Sequence, residues 1–486
     1  ITYFLFSFLL LKCYNDIINY HKKRGYKMLS FNQSVEERRE MIINGNILNT
    51  LLFLSIPTLL VGIIQALIPL SDNFFLNNLT NVVVAGSVTF SQPVLNIMIA
   101  LSQGLGVAAM AMIGKYYGKG IMRAVRETML QIYVFSFTIG LILIPICILM
   151  AFVISKTTSE EIRSTVFTYI ASYSFVMPLI FLAAIYNSSK NAIGRPEVTF
   201  VRISLLLVLK IFFNSIFLYI FRMGLIGAVI ATFCSYVVIT IWMFHDVFVR
   251  TSETKLDLRT YSMKLPIIMK ITRIGFPAMV NYMLIYFGFF LINKEMEKYG
   301  AIALTGQGIA ANINSLCFNL PSSIGTAVTT MISINMGLKN IKKSKKIFTY
   351  SWITSVVIAA LTIILIVPLN HNMISLFTRN REVAVIADNA LNIFTYSIVG
   401  FGIFPVCQGV YVALGKNNIP LIMSILRIWL FRYAFILLTQ KFLGLYSIFW
   451  GNLFSNTAAG ILFFYLVKTL DWENVDVRKL KIKKLK

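Results

Sequence analysis

The sequence predicts an all-α membrane protein: twelve transmembrane helices arranged as two six-helix lobes related by a parallel repeat. Three observations carry this prediction. The chain of 486 residues is 57% hydrophobic and only 13% charged, where a soluble domain carries about 25% charged residues. Apolar runs of membrane-spanning length recur along it. Its first half can also be laid over its second at a nearly constant offset.

The N-terminal extension, residues 1–46, comes first. Ile1 to Leu11 is apolar but shorter than the ~20 residues that cross a bilayer. The charges His21, Lys22, Lys23 and Arg24 follow the apolar run, the reverse of a secretory signal. Residues 1–27 are therefore expected to be upstream sequence, with Met28 the native start. Mass spectrometry of the natively expressed N-terminus tests this; a peptide covering Tyr14 to Tyr20 would contradict it.

The apolar spans follow at 47–76, 82–113, 127–154, 165–187, 198–221, 225–249, 266–292, 302–335, 348–377, 384–412, 419–440 and 445–468. Several exceed the minimum length, so tilt is expected. The net charge of +25 comes from 44 basic and 19 acidic residues. Its distribution argues for membrane topology and against a nucleic-acid partner. Loops after even-numbered spans carry 19 Lys and Arg, among them Lys115, Lys190, Arg202, Lys264 and Lys343, against 8 after odd-numbered spans. The even loops and both termini are thus expected on the cytoplasmic side of the inner membrane. The tail "RKLKIKKLK" fits this and can meet anionic membrane lipid.

Division follows from the spans: an N-lobe at 47–249, a cytoplasmic linker at 250–265, a C-lobe at 266–470 and a basic tail at 471–486. "SIPTLLVG" at Ser55 returns as "GFPAMVNY" at Gly275. "LSQGLGVAAMAMIGKYYGKG" at Leu101 returns as "LPSSIGTAVTTMISINMGLKN" at Leu320, "YSFVMPLIF" at Tyr173 as "YSIVGFGIF" at Tyr396, and "NAIGRPEVTF" at Asn191 as "VALGKNNIPL" at Val412. Each half holds an even number of spans, so the two share one orientation, as in some secondary transporters.

Chemistry-bearing residues are sparse. Cysteines stand singly, His21, His245 and His371 are scattered, and neither a metal-ligand cluster nor a Walker-type loop is present. The chain is therefore read as a non-enzyme with no cofactor and no ATP site. Glu160, Glu161, Glu197, Glu295, Glu297 and Glu382 are assigned to loops. Asp72, in "IPLSDNFFLNNL", is the leading acid within a span, where a charge is costly and commonly functional. Helical steps put Asp72, Ile68, Gln65, Val61 and Pro57 on one stripe, and Pro57 permits a hinge. The alternative is that Asp72 marks the outer end of its helix. In span five, Lys210 and Asn214 are four apart and share a face; Lys210 either pairs with Asp72 or snorkels to the surface. Span six adds Thr232, an oxygen that with the acid and the amide is able to hold a proton or Na⁺.

At this point the chain resembles the MATE (multidrug and toxic compound extrusion) transporters over residues 45–470. The resemblance rests on "IPTLLVGIIQALIPLSDNFFL", "KYYGKG", "NAIGRPEV", "NSIFLYIFRMGLIGAVIAT", "GIAANINSLCFNLPSSIGTAVTTMISINMG" and "NMGLKN". It is nearest the bacterial branch that includes the DinF-like and MepA-like exporters. It implies an antiporter that exports a small organic molecule against H⁺ or Na⁺. It also puts the coupling ion at Asp72, with Asn214, Thr232 and Tyr173 as further polar positions. Two departures stand out. Leu218 replaces an acid that many relatives carry, and "NYMLIYFGFF" lacks the glutamate of some branches, so coupling is expected in the N-lobe.

A central cavity is expected to be lined by aromatics and by Gln65, Gln92, Gln307, Asn312 and Gln408. Aromatic faces favour organic cations. Arg427 and Arg432, in "LRIWLFR", point the other way, toward anions, unless they snorkel. With Lys210 they support the alternative reading, a flippase for a lipid-linked sugar or phospholipid. A monomer is expected.

Overall fold

The computed structural model describes residues 41–473, apart from 119–120, 194, 251–254, 415, 417 and the side chains of a few helix positions. The expectations about Met28, the basic tail and the Pro57 hinge lie outside the described residues. Twelve long helices follow one another, and no strand occurs among the described residues. The N-lobe holds α1 (Ile47–Leu79), α2 (Val82–Gly118), α3 (Met122–Lys156), α4 (Glu160–Ala192), α5 (Val198–Ile220) and α6 (Gly224–Val249). The C-lobe holds α7 (Leu265–Glu297), α8 (Gly300–Gly337), α9 (Ile341–Ser375), α10 (Arg381–Ala413), α11 (Asn418–Leu443) and α12 (Tyr446–Lys468).

Apolar length makes these helices, and polar residues set their ends. Asn46 caps α1 by accepting from the N–H groups of Leu48 and Asn49, and Asn380 caps α10 in the same way. Gly224 and Gly444 stand at the turn into the sixth helix of each lobe with nearly the same left-handed φ, 56° and 52°. Only glycine adopts that geometry without strain, so the repeat is visible in the backbone as well as the sequence. Ten of the helices are apolar enough to cross a membrane by their own composition. The other two, α8 and α12, carry Ser, Thr and Asn along their length; in α12 the polar Asn452, Ser455 and Asn456 are buried while Trp450, Phe454, Ile461 and Tyr465 stand exposed.

The structure corrects several boundaries. Helices run past the apolar runs that predict them; the fourth extends from Glu160 to Ala192 rather than 165–187. Glu295 and Glu297 were assigned to a loop but form the buried last turn of α7, paired with Lys298 and Lys294. Lys190, counted as a loop cation, is a helix residue only 2% exposed.

The lobes exchange their first helices. α1 packs on α8 of the other lobe, and α7 packs on α2. Small residues permit the close approach: Gly62 lies against Asn319, and Gly104 against Gly275 and Met279. Near their N-terminal ends α2 and α8 touch each other, Gly86 against Ala301 and Gly308 against Thr89. Thr305 Oγ1 donates there to the Val82 carbonyl at 2.9 Å, and Asn293 Nδ2 to the Thr89 carbonyl at 2.8 Å. Farther along, each helix turns to its own lobe, Gly106 to Ser188 and Gly325 to Pro405. The lobes therefore close at the end where α2 and α8 begin and diverge toward the end where they finish.

Candidate functional site

Asp72 lies in α1 with the helix continuing to Leu79, about 10 Å farther at ~1.5 Å per residue. It is not a helix-end residue. Its carboxylate is bonded inside the N-lobe. The Lys210 ammonium donates to Oδ2 in an ion pair. Asn214 Nδ2 donates to Oδ1 at 2.8 Å. The same ammonium donates to Thr232 Oγ1 at 2.9 Å. Lys210 is 3% exposed, so its charge is held by these partners and does not snorkel. Asn214 and Thr232 are buried with it, and Asn214 Oδ1 has no hydrogen-bond partner.

Three helices bring this group together. α1 supplies the acid, one turn of α5 supplies Lys210 and Asn214, and α6 supplies Thr232. Immediately after Asn214 the backbone widens into a π-helix, Ser215–Ile220, a form common at functional sites. Leu218 is buried there at 2% exposure. Tyr173 meets Tyr169 with the rings tilted and their centroids 5.7 Å apart, and both lie within electrostatic reach of Asp72.

The other predicted residues are dispersed. Gln65 is exposed on α1. Gln92 and Asn312 bond within their own helices, to Asn96 at 3.4 Å and to the Gly308 carbonyl at 2.7 Å. Gln408 is partly buried. Gln307 does not line an open wall: it is 5% exposed and donates to Asn293 at 3.4 Å, within the contact that closes the lobes.

One polar group escaped the sequence reading. Asp246, at the far end of α6, pairs with Lys190 at 2.5 Å and accepts from the Tyr186 hydroxyl at 2.8 Å. Asp246 falls within the sixth apolar span, and that position alone marks it by the same argument as Asp72. Arg202 stands buried near Tyr186 and Tyr236, with Nε and Nη1 unpartnered. No group of three or more His, Cys, Asp or Glu residues able to hold a metal occurs among the described residues.

The MatE family model matches the chain twice, over residues 57–216 and 277–438. The chain belongs to the MatE family. Its matches start at Pro57 and Pro277, equivalent points of the two lobes. Among curated relatives of this MatE protein, the multidrug export protein MepA of Staphylococcus saprophyticus is 22% identical, covering 87% of this chain and 95% of that one. The probable multidrug resistance protein YoeA of Bacillus subtilis is 23% identical, covering 77% of this chain and 83% of that one. Among solved structures, a multidrug resistance MATE transporter in an inward-facing conformation superposes with a TM-score of 0.78 at 20% identity, covering 88% of this chain and 99% of that one. That likeness is one of fold, and the two-lobed, twelve-helix architecture is shared. The protein is a multi-pass membrane transporter for drug export and not an enzyme.

Proposed function

We propose that this MatE protein is a secondary antiporter that exports organic compounds, organic cations among them, in exchange for a coupling ion bound at Asp72. The observation that carries the proposal is the Asp72–Lys210–Asn214–Thr232 cluster, in which Lys210, Asn214 and Thr232 are buried and Asp72 is partly exposed. A carboxylate inside a membrane bundle is the natural seat for a proton or Na⁺.

The geometry favours H⁺ over Na⁺. The Lys210 ammonium already engages Asp72 Oδ2 and Thr232 Oγ1, two oxygens that a sodium ion would need. A proton needs no such space. Once protonated, Asp72 becomes a donor. Asn214 Oδ1, buried without a partner, is an acceptor that a turn of the amide would present to it. Protonation also removes the attraction that holds α1 to α5. An exported compound shifts access only as far as it binds the two states unequally. With the basic loops read as cytoplasmic, the diverging ends of α2 and α8 face the cytoplasm in this proposal, and the lobes stand open to substrate from within. The relatives MepA, a multidrug export protein, and YoeA, a probable multidrug resistance protein, support drug export over the lipid-linked alternative.

Everted membrane vesicles test this reading. Ethidium uptake is expected under an imposed H⁺ gradient and not under a Na⁺ gradient of equal size, and Asp72→Asn is expected to abolish it. Undiminished gradient-driven transport by Asp72→Asn would overturn the assignment.

A further inference from the structure

The C-lobe carries a second charged group with no counterpart to Asp72. Arg427 and Arg432 lie about 14 Å and 21 Å along α11, at ~1.5 Å per residue, in the middle of the span. Their contacts face inward. Arg427 Nη1 donates to Asn456 Oδ1 on α12 at 2.9 Å, and its guanidinium lies 5.3 Å from the rings of both Phe401 and Phe404 on α10. Arg432 lies 5.5 Å from the Phe289 ring on α7. These are the first, fourth, fifth and sixth helices of the C-lobe, the same set that surrounds Asp72 in the N-lobe.

The backbone is shaped to bring the two arginines together. In an α-helix, residues five apart point about 140° away from one another. Leu426–Ala434 is instead a π-helix, whose i→i+5 bonding stacks residues five apart. Arg427 and Arg432 are five apart, and each lies within electrostatic reach of the other. Two like charges so placed, deep in the bundle, repel. Among the described residues no carboxylate pairs with either, and the Nε–H of each is buried without a partner. In the N-lobe one lysine balances one aspartate; in the C-lobe two cations stand with amide and aromatic partners alone.

We propose that Arg427 and Arg432 form an anion-binding subsite for a carboxylate, sulfonate or phosphate group of the exported compound. Planar guanidinium groups match such anions with paired N–H donors, and the phenylalanine rings around them accept the apolar body that carries the anion. The preferred cargo is then an aromatic amphiphile with an acidic group, zwitterionic where it also carries an amine. The proposal rests on the antiporter reading for its direction of transport but not for the binding itself.

The test is equilibrium binding to the purified full-length protein in nanodiscs of neutral phospholipid. The probes are a rhodamine with a free carboxylate and its methyl ester, read by fluorescence anisotropy. Wild type is expected to bind the acid about tenfold more tightly than the ester, as for charged hydrogen bonds. Arg427→Gln and Arg432→Gln are expected to erase that preference while binding the ester as before, which also reports that they are folded. Arg432→Lys, which keeps the charge, is expected to retain a preference for the acid. Equal affinity of wild type for acid and ester would overturn the proposal. So would a parallel loss of both in the Gln variants, which would make the arginines structural. Displacement of the acid by phosphatidylglycerol in place of a soluble carboxylate would assign the arginines to a lipid headgroup and overturn the substrate assignment. Failure of the antiporter reading would show separately, as no gradient-driven movement of either dye with the binding preference intact.

Discussion

At Asp72 and Lys210, stability and function can be separated. Lys210 is buried while Asp72 keeps 25% of its side chain exposed, and removing the partner of a buried charge typically costs about 3–5 kcal/mol because that charge is stranded. Asp72→Asn is therefore expected to lower the melting temperature of the purified protein as well as to abolish coupling. The double variant Asp72→Asn/Lys210→Met removes both charges and is expected to melt close to wild type while remaining uncoupled. If the double variant were as unstable as the single, the ion pair would not be the cause. The same logic applies to Lys190, whose partner Asp246 is largely buried. Lys190→Met is expected to destabilise the N-lobe by a comparable amount, and Lys190→Met/Asp246→Asn to recover most of it in the same melting assay. Much of this was legible in the sequence, because charge within an apolar span is rare enough to count. Asp72, Lys210, Asn214 and Thr232 could each be singled out from spacing. That Lys210 reaches Asp72 is one of two readings the sequence leaves open, since the two are far apart in the chain and their meeting depends on how α1 leans on α5.

Among the elements, α2 and α8 hold the asymmetry between the two ends of the molecule. Their N-terminal halves touch across the lobes, with Thr305 of α8 and, beside it, Asn293 of α7 bonding to the α2 carbonyls of Val82 and Thr89. Weakening that contact should let the closed end part and the open end draw in. Asn293→Ala is thus expected to shorten the distance between spin labels placed at Ile121 and Leu338, exposed positions just beyond α2 and α8, in a background without native cysteines. An unchanged distance distribution would show that this contact does not hold the conformation. No pattern in the sequence marks that contact. Gln307 read as a cavity amide because its neighbours in space, Asn293 and Thr89, belong to other helices. Three π-helical segments were equally invisible, Ser215–Ile220, Asp246–Arg250 and Leu426–Ala434. Each adjoins or contains a charged or amide residue of the interior. Periodicity arguments assume 3.6 residues per turn, so they misplace side chains at these points.

For the whole molecule, the two-lobed plan was readable because duplication leaves ordered traces: Ser55 with Gly275, Leu101 with Leu320, Tyr173 with Tyr396. The exchange of first helices between lobes was not, because a repeat fixes the internal plan of each lobe and says nothing about how the lobes meet. At this scale the lobes differ in charge despite sharing a fold, with an acid–lysine pair at Asp72 in one and two arginines in the other. The central claim is that a proton at Asp72 is exchanged for cargo. It is tested most directly by placing purified protein in weakly buffered solution with a pH-sensitive dye and adding a compound shown to be exported. Wild type is expected to release protons on binding. The charge-free variant Asp72→Asn/Lys210→Met is expected to bind the compound and release none. Equal proton release from both proteins would contradict the account and move the exchanged proton away from Asp72.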